Sequence, residues 1–361
     1  MNKIRLTAAI GLSMAVAFTG CAANEGGTSS GSGSSSSSSL SGTLQGTGAS
    51  SQKVAQESWV AAFQDANPDV TVNYSPEGSG AGREAFQAGG ADFAGSDRAF
   101  TAEENQAGKF GKCTPESTAL DLPIYISPIA IIFNVEGVES LNMDAATLAG
   151  IFKGTIKKWN DPKIAALNPD AKLPNANITA VHRSDDSGTT ENFTDYLNQV
   201  APSVWDKEAD GNWQYSGGEA AKGTSGVVAA VKNGVNTIGY ADASQTEGIS
   251  KVSVGEGGKY AAPTEEDAAK VVENSPQESG RAEHDLALEL DRKAEGYPIV
   301  LVSYAMACSD YQDDKTAELV KAYLGYMAST EGQTVAKDAA GTAPLSSSLS
   351  EKVSAAVESI K

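Results

Sequence analysis

The sequence predicts an α/β fold divided between two domains. Strand-like and helix-like apolar patterns alternate along the chain, the signature of mixed layers with largely parallel sheets. About 320 residues follow a low-complexity N-terminal stretch, more than one hydrophobic core usually holds. Three strand-to-helix junctions share a Gly/Ser/Thr-rich composition, and in α/β proteins strand-end loops gather on one edge, where ligands bind.

The N-terminus comes first. Lys3 and Arg5 precede an apolar stretch from Leu6 to Phe18. That stretch is too short for a membrane span, which needs ~20 apolar residues, and residues 1–20 have the layout of a secretory signal peptide. The ending Phe18-Thr19-Gly20-Cys21 resembles a bacterial lipobox, in which the cysteine becomes the lipidated first residue of the mature chain; Phe18 stands where Leu is usual. Residues 21–40, with the run Ser34–Ser39, cannot bury a core and read as a flexible linker. With Cys21 set aside, Cys113 and Cys308 form an even pair in an exported chain, for which a disulfide is the expected state.

Charge excludes one class of partner. Lys3 and Arg5 are two of 27 basic residues, so the chain beyond the signal carries 25 against 46 acidic, a net charge of −21. Nucleic acid requires basic surface and is excluded. An anionic ligand would be repelled at long range and must be captured by local donors. The only histidines are His182 and His284, and two cysteines are expected to be bridged, so no metal site and no cofactor is predicted.

Through the folded part, Ala55, Trp59, Ala62 and Phe63 share a helical stripe that Asn67-Pro68 ends. Val70, Val72 and Tyr74 alternate as in a strand. Phe193, Tyr196 and Leu197 mark one later helix, and Leu319, Val320, Tyr323 and Leu324 another. Apolar strand-like runs occur at Leu122–Phe133, Ile178–Val181, Thr237–Tyr240 and Ile299–Ala305.

The junctions hold the candidate chemistry. Gly46-Thr47-Gly48-Ala49-Ser50-Ser51 enters the helix of Trp59; Gly78-Ser79-Gly80-Ala81-Gly82 follows the strand of Tyr74; Arg183-Ser184-Asp185-Asp186-Ser187-Gly188-Thr189 follows the strand of Val181. Each puts small or hydroxyl residues at a helix start, where N–H groups are unpaired and the dipole end is positive. That arrangement holds a tetrahedral oxyanion without metal. Helix N-capping is the alternative role for any one junction. No P-loop or dinucleotide fingerprint is present; Arg83 stands where the last glycine of the latter would fall. Arg183 adds a cation that can fork onto an anion, and Asp185 can hold that guanidinium or cap the helix. Asp97 ends the run Asp92–Ser96. A carboxylate beside an anion is tolerable when the ligand carries a proton, as hydrogen phosphate does and sulfate does not.

At these residues the chain resembles the phosphate-binding proteins of bacterial Pst-type ABC transporters. The likeness runs from about Gly42 to Leu345 and includes Leu148–Pro162, Val181–Thr190 and Asn236–Tyr240, with Arg-x-Asp-x-Ser-Gly-Thr its most specific element. The resemblance implies a two-lobe periplasmic-binding-protein-like clamp (type II), each lobe a mixed, mostly parallel sheet flanked by helices and hinged by two crossover strands. One lobe would comprise 41–126 and 298–361, the other 127–297. It implies that Ser50, Ser51 and Ser79 donate to phosphate, that Asp97 accepts the phosphate proton, that Arg183 steadied by Asp185 supplies the charged contact, and that Ser187, Gly188 and Thr189 close a helix N-terminus around the oxygens. Two departures stand out: Ser50-Ser51 where Thr-Phe is usual, and Asp186 where glycine is common.

The expected function is extracytoplasmic capture of inorganic phosphate and delivery to the permease and ATPase subunits of an ABC importer. The protein would sit on the outer face of the cytoplasmic membrane, held only by its lipid anchor. It would not be an enzyme, since no Gly-x-Ser-x-Gly elbow or placed base accompanies Ser79 or Ser187. A phosphate-sensing or surface role on the same scaffold, a phosphomonoester hydrolase, and a related oxyanion ligand such as arsenate, sulfate or molybdate are the competing readings.

Overall fold

The computed structural model describes residues 40–361. The predicted signal peptide, Cys21 and the Ser-rich part of the linker lie outside the described residues. The chain begins with β1 (Gly42–Gly48), α1 (Lys53–Ala66), β2 (Val70–Ser75), α2 (Ser79–Gln87), β3 (Phe93–Ser96) and the long β4 (Ala119–Asn134). It continues through β5 (Ser140–Met143), α3 (Ala145–Phe152), α4 (Pro162–Leu167), β6 (Thr179–Arg183), α5 (Gly188–Val200), β7 (Glu219–Ala221), α6 (Gly223–Asn233) and β8 (Thr237–Asp242). A 3₁₀ turn (Ala243–Gln245), β9 (Ser250–Glu256), β10 (Lys259–Ala261), α7 (Glu265–Glu273), β11 (Val300–Cys308), α8 (Asp314–Ala328), α9 (Thr330–Ala340) and α10 (Ser347–Glu358) complete it.

Local chemistry explains the elements that matter for the site. α1 buries Ala55, Gln56, Trp59 and Phe63 on one face and ends where the Asn67 N–H closes onto the Phe63 carbonyl. Trp59 is fully buried, donates its indole N–H to the Gly332 carbonyl at 2.6 Å and meets Tyr125 edge-on. β2 alternates buried Val70 and Val72 with exposed Thr71 and Asn73, the period of a strand with one covered face. β4 is buried from Ala119 to Phe133 on both faces, which is why it reads as a continuous apolar run.

The strands form one sheet in the order β2-β1-β3-β11-β4-β8-β6-β7, with β9 also paired to β4 and carrying β5 and β10. β4 pairs with β11 from Ala119 to Pro128 and with β8 from Ile129 to Asn134. It therefore belongs to one half of the sheet with its first part and to the other half with its second. The flanking pairs β1/β2, β1/β3, β6/β7 and β6/β8 are parallel. The pairs of β11 with β3 and β4, and of β4 with β8, are antiparallel, because β4 carries the chain out of the first half and β11 brings it back. The sheet is thus mixed, with its parallel ladders at the flanks.

Residues 262–297, assigned above to the second lobe, pack on the crossing strands and also reach α5, where Arg292 donates to Asp195 and Asn192 at 2.7 and 2.6 Å. Ala268, Val271 and Val272 of α7 form one apolar cluster with Ile126, Val300, Val302 and Tyr304. The Leu286 N–H donates to the Asp121 carbonyl. The apolar face of β4 and β11 needs a cover, and α7 with its following loop provides it.

Cys113 and Cys308 are joined in a disulfide with Cα atoms 5.3 Å apart, across a sequence separation of 195. Cys308 ends β11, so the bond ties the returning strand to the loop before β4. In the chain-entropy account a loop of this size contributes up to about 5 kcal/mol. We expect non-reduced, unfolded protein to show no free thiol from Cys113 or Cys308. Reduction should lower the melting temperature while leaving anion binding intact, since neither cysteine touches the site. Alkylation of both cysteines without reductant would contradict the bridge.

Candidate functional site

The three predicted junctions, and a fourth, converge between the two halves of the sheet. Asp97 follows β3 and is 2% exposed. A buried carboxylate must be hydrogen-bonded. Its Oδ1 accepts from Ser51 Oγ at 2.5 Å and Ser303 Oγ at 2.7 Å, and its Oδ2 accepts from Thr189 Oγ1 at 2.7 Å. A carboxylate offers roughly four acceptor positions. Three are taken by hydroxyls, and the one that remains is on Oδ2. Its backbone joins in as well: Asp97 N–H donates to Ser79 Oγ at 3.1 Å, and its carbonyl accepts from Asn192 Nδ2 at 2.6 Å. Arg98 turns away to Glu104 and Glu191, so it does not pair with Asp97.

Helix α5 begins against this carboxylate. A Cβ on Gly188 would stand 2.7 Å from Asp97 Cβ and 2.9 Å from Ser79 Oγ, so only glycine permits the approach. Ser187 is the N-cap, its Oγ accepting the Thr190 N–H at 3.2 Å. Its own N–H donates to the Gly211 carbonyl at 3.0 Å. The N–H groups of Gly188 and Thr189 take no carbonyl among the described residues, and neither do those of Ser50, Ser51 and Ser79. These five donors are the unpaired helix-start groups that an anion can use.

Arg183 ends β6 and is 2% exposed. Its Nε donates to Asp185 Oδ1 at 2.8 Å and its Nη2 to Asp185 Oδ2, a two-point fork that leaves Nη1 without a partner among the described residues. Asp185 also accepts the Gly223 N–H at 3.1 Å. Burial pushes the Asp185 carboxyl up, but the hydrogen bonds and charge of Arg183, with the Gly223 N–H, outweigh it and hold the group below its ordinary value. Asp185 therefore steadies Arg183 and does not cap α5. Behind Arg183, its N–H donates to the Tyr240 hydroxyl at 3.2 Å. Burial pushes the Tyr240 phenol up to about 12, which keeps it neutral.

Ser50, 6% exposed, faces across to the start of α6. Its Oγ accepts the Thr224 N–H at 3.1 Å and shares a hydrogen bond with Thr224 Oγ1 at 3.0 Å. Gly223 and Thr224 were not among the predicted residues. The signal was present: Gly223-Thr224-Ser225-Gly226 follows a strand and opens a helix, the composition that marked the other three junctions. Asp186, the acidic departure, is met by Arg83, whose Nη2 lies 3.2 Å from Asp186 Oδ2 while Nη1 donates to Ser96 Oγ at 2.9 Å. Arg83 is 3% exposed, so the extra negative charge beside the site is neutralised by a buried cation. Burial pushes the Tyr74 phenol, hydrogen-bonded to the Ala49 carbonyl at 3.0 Å, well above its ordinary value, and the charge of Asp97 adds to this. Ser303 of β11 was the other residue the sequence did not mark.

The assembled group is a buried cation fork, a buried carboxylate with one acceptor position left, and five unpaired N–H groups. It suits a tetrahedral oxyanion that carries a proton. It does not suit nucleophilic catalysis. Ser187 Oγ caps a helix and Ser79 Oγ accepts from Asp97, while His182 stacks on Trp213 at 4.8 Å with Nδ1 at the Arg183 carbonyl.

A model of the PBP superfamily domain matches residues 33–331. Phosphate-binding protein PstS 3 of Mycobacterium tuberculosis is 38% identical over 291 residues, covering 78% of this chain and 77% of that protein. Phosphate-binding protein PstS 2 of the same organism is 35% identical over 327 residues, covering 88% and 87%. Among solved structures, a high-affinity periplasmic phosphate-binding protein with phosphate bound superposes with a TM-score of 0.69 at 20% identity, covering 87% of this chain and 93% of that one. At that identity the superposition bears on the fold, and it is the periplasmic-binding-protein-like one. The match over most of the length, at identities well above those of a shared fold alone, places this chain in the PBP superfamily and, within it, in the family of PstS phosphate-binding proteins.

Proposed function

We propose that the protein captures inorganic phosphate between the halves of its sheet and hands it to the permease and ATPase subunits of an ABC importer. One observation carries this reading. Arg183 and Asp97, each 2% exposed, sit in one cluster of helix starts: Asp185, which forks Arg183, accepts the Gly223 N–H beside Ser50, while Gly188 lies against Asp97 and Ser79. A cation and N–H donors alone would hold any oxyanion. The carboxylate restricts the choice to one that brings a proton. In this reading Ser50, Ser51, Ser79, Gly188 and Thr189 donate through their N–H groups, and Ser187 through its hydroxyl. Arg183 donates through Nη1, and Asp97 Oδ2 accepts the ligand's proton. The relatives' names, and their cover of most of this chain, support the same ligand.

The two lobes of this reading meet at β4 and β11, and closure over the ligand would bend the chain where β4 changes partner, near Pro128. The protein would act outside the cytoplasmic membrane, tethered through Cys21. We expect Cys21→Ala to release the protein from membranes or to block its maturation, as fractionation would read. Unchanged association that still needs detergent would remove the anchor from this account.

Isothermal titration of ligand-stripped protein with phosphate and with sulfate tests the ligand. Hydrogen bonds to charged groups contribute roughly 1.5–3 kcal/mol each, so Arg183→Ala should weaken phosphate by at least about tenfold. Arg183→Lys should recover only part, because one ammonium cannot fork. A loss under about threefold for the alanine variant would place Arg183 outside the site.

Asp97→Asn tests the selectivity. Sulfate has no proton for Asp97, so in the wild type its oxygen meets an uncompensated buried charge worth several kcal/mol, roughly a thousandfold or more. The asparagine can turn a donor toward that oxygen. The variant should therefore bind sulfate measurably at neutral pH and lose much of its preference for phosphate. Unchanged phosphate binding with sulfate still ignored would show that Asp97 does not select.

A further inference from the structure

We infer that Ser303, held in one orientation by Gln52, is a positioning residue that fixes Asp97 as a hydrogen-bond acceptor and thereby sets the preference for a protonated oxyanion. This rests on the phosphate reading above.

The line joins distant parts of the chain, with Gln52 and Gln56 one turn apart at the start of α1, and all its residues are buried. Ser303, Gln52 and Gln56 are at most 1% exposed, and Tyr323 is fully buried. Four hydrogen bonds link them in a line. Tyr323 Oη donates to Gln56 Oε1 at 2.9 Å, and Gln56 Nε2 donates to Gln52 Oε1 at 2.9 Å. Gln52 Nε2 donates to Ser303 Oγ at 2.7 Å, and Ser303 Oγ donates to Asp97 Oδ1 at 2.7 Å.

The direction of this line follows from one backbone group. The same Gln52 atom that faces Ser303 stands 3.2 Å from the Tyr304 carbonyl oxygen. A carbonyl only accepts, so that side-chain atom is the amide nitrogen. Its oxygen then points at Gln56, which must answer with its own nitrogen, and the Gln56 oxygen must receive the Tyr323 proton. At the other end, Ser303 receives a donor from Gln52 and has one proton of its own to give. Among the described residues Asp97 Oδ1 is its one acceptor. The line is thus polarised from helix α8 through α1 to the carboxylate, and it delivers a proton donor there, never an acceptor.

Backbone geometry aims Ser303 at this point. The β11–β4 ladder shifts register here: Ser303 pairs with Tyr125 and Tyr304 with Pro123, so Ile124 of β4 is the extra residue of a bulge that lies opposite Ser303. Pro123 has no N–H to give the ladder, and the bulge on β4 increases the local twist beside Ser303. Tyr304 is also the partner of Ser96 on β3, which brings Ser303 beside Asp97. With Ser303 and Ser51 on Oδ1 and Thr189 on Oδ2, the carboxylate cannot rotate without losing a bond, and its remaining lone pair keeps one direction.

A double-mutant cycle tests the inference: phosphate affinity measured by calorimetry for the wild type, Ser303→Ala, Asp97→Asn and the double variant. If Ser303 acts through Asp97, Ser303→Ala weakens phosphate about tenfold in the wild-type background and less than about threefold in the Asp97→Asn background, since coupled residues are non-additive. A purely structural serine would cost the same factor in both backgrounds. Gln52→Met, which keeps the chain length and removes the donor to Ser303, should show the same dependence on Asp97, and it carries the test if Ser303→Ala does not fold. Equal factors in both backgrounds, or no loss in the wild-type background, overturn the inference. A wild type that does not bind phosphate would instead overturn the function proposed above.

Discussion

A carboxylate at 2% exposure has to be solvated by the protein itself, and the candidate site is arranged around how Asp97 is solvated. Its three hydroxyl partners come from three separate places: Ser51 ahead of α1, Ser303 on β11 and Thr189 at the start of α5. The first two belong to the first half of the sheet and the third to the second half. Satisfying Asp97 therefore holds the halves together, and the same contact brings Gly188 against Ser79. Removing any of these groups leaves a buried charge short of a partner, which is costlier than the bond itself is favourable.

The charges are balanced locally. The whole chain carries a formal charge of −19, yet the buried cations of the site each have a named carboxylate: Arg183 with Asp185, and Arg83 with Asp186. At physiological salt the field of exposed acids fades within about 8 Å, whereas buried groups are little screened. An anion close to the unpaired N–H groups and Arg183 Nη1 therefore responds to these donors more than to the surface. Asp186 illustrates the principle, because its position beside the site is offset by a guanidinium that reaches it from α2.

The crossing strands give this arrangement its frame. β4 is buried on both faces, pairs with each half in turn, and is locked to β11, whose last residue is disulfide-bonded to Cys113. α7 covers their apolar face. The β4 bulge opposite Ser303 is the one irregularity in the β4–β11 ladder, and Ser303 stands next to the carboxylate. A platform tied together in this way keeps the short hydrogen bonds of the site in place.

The sequence alone determined what is encoded locally. Stripes such as Trp59 and Phe63, and the runs within β4, β6, β8 and β11, follow from periodicity. The Gly/Ser/Thr junctions follow from the needs of helix starts, and Arg183 with Asp185 from a two-residue spacing that a single turn can close. The pairing of Cys113 with Cys308 was legible because two cysteines allow only one bridge. The tertiary structure decided everything that depends on partners distant in the chain. Ser303 meets Asp97 across 206 residues and Gln52 across 251, Ser50 meets Thr224 across 174, and Arg83 meets Asp186 across 103. A serine in a buried strand and a glutamine at a helix start have no local pattern that reveals such contacts. Only when the sheet order puts β3 beside β11, and the halves close α5 onto Asp97, do they acquire one acceptor and one direction.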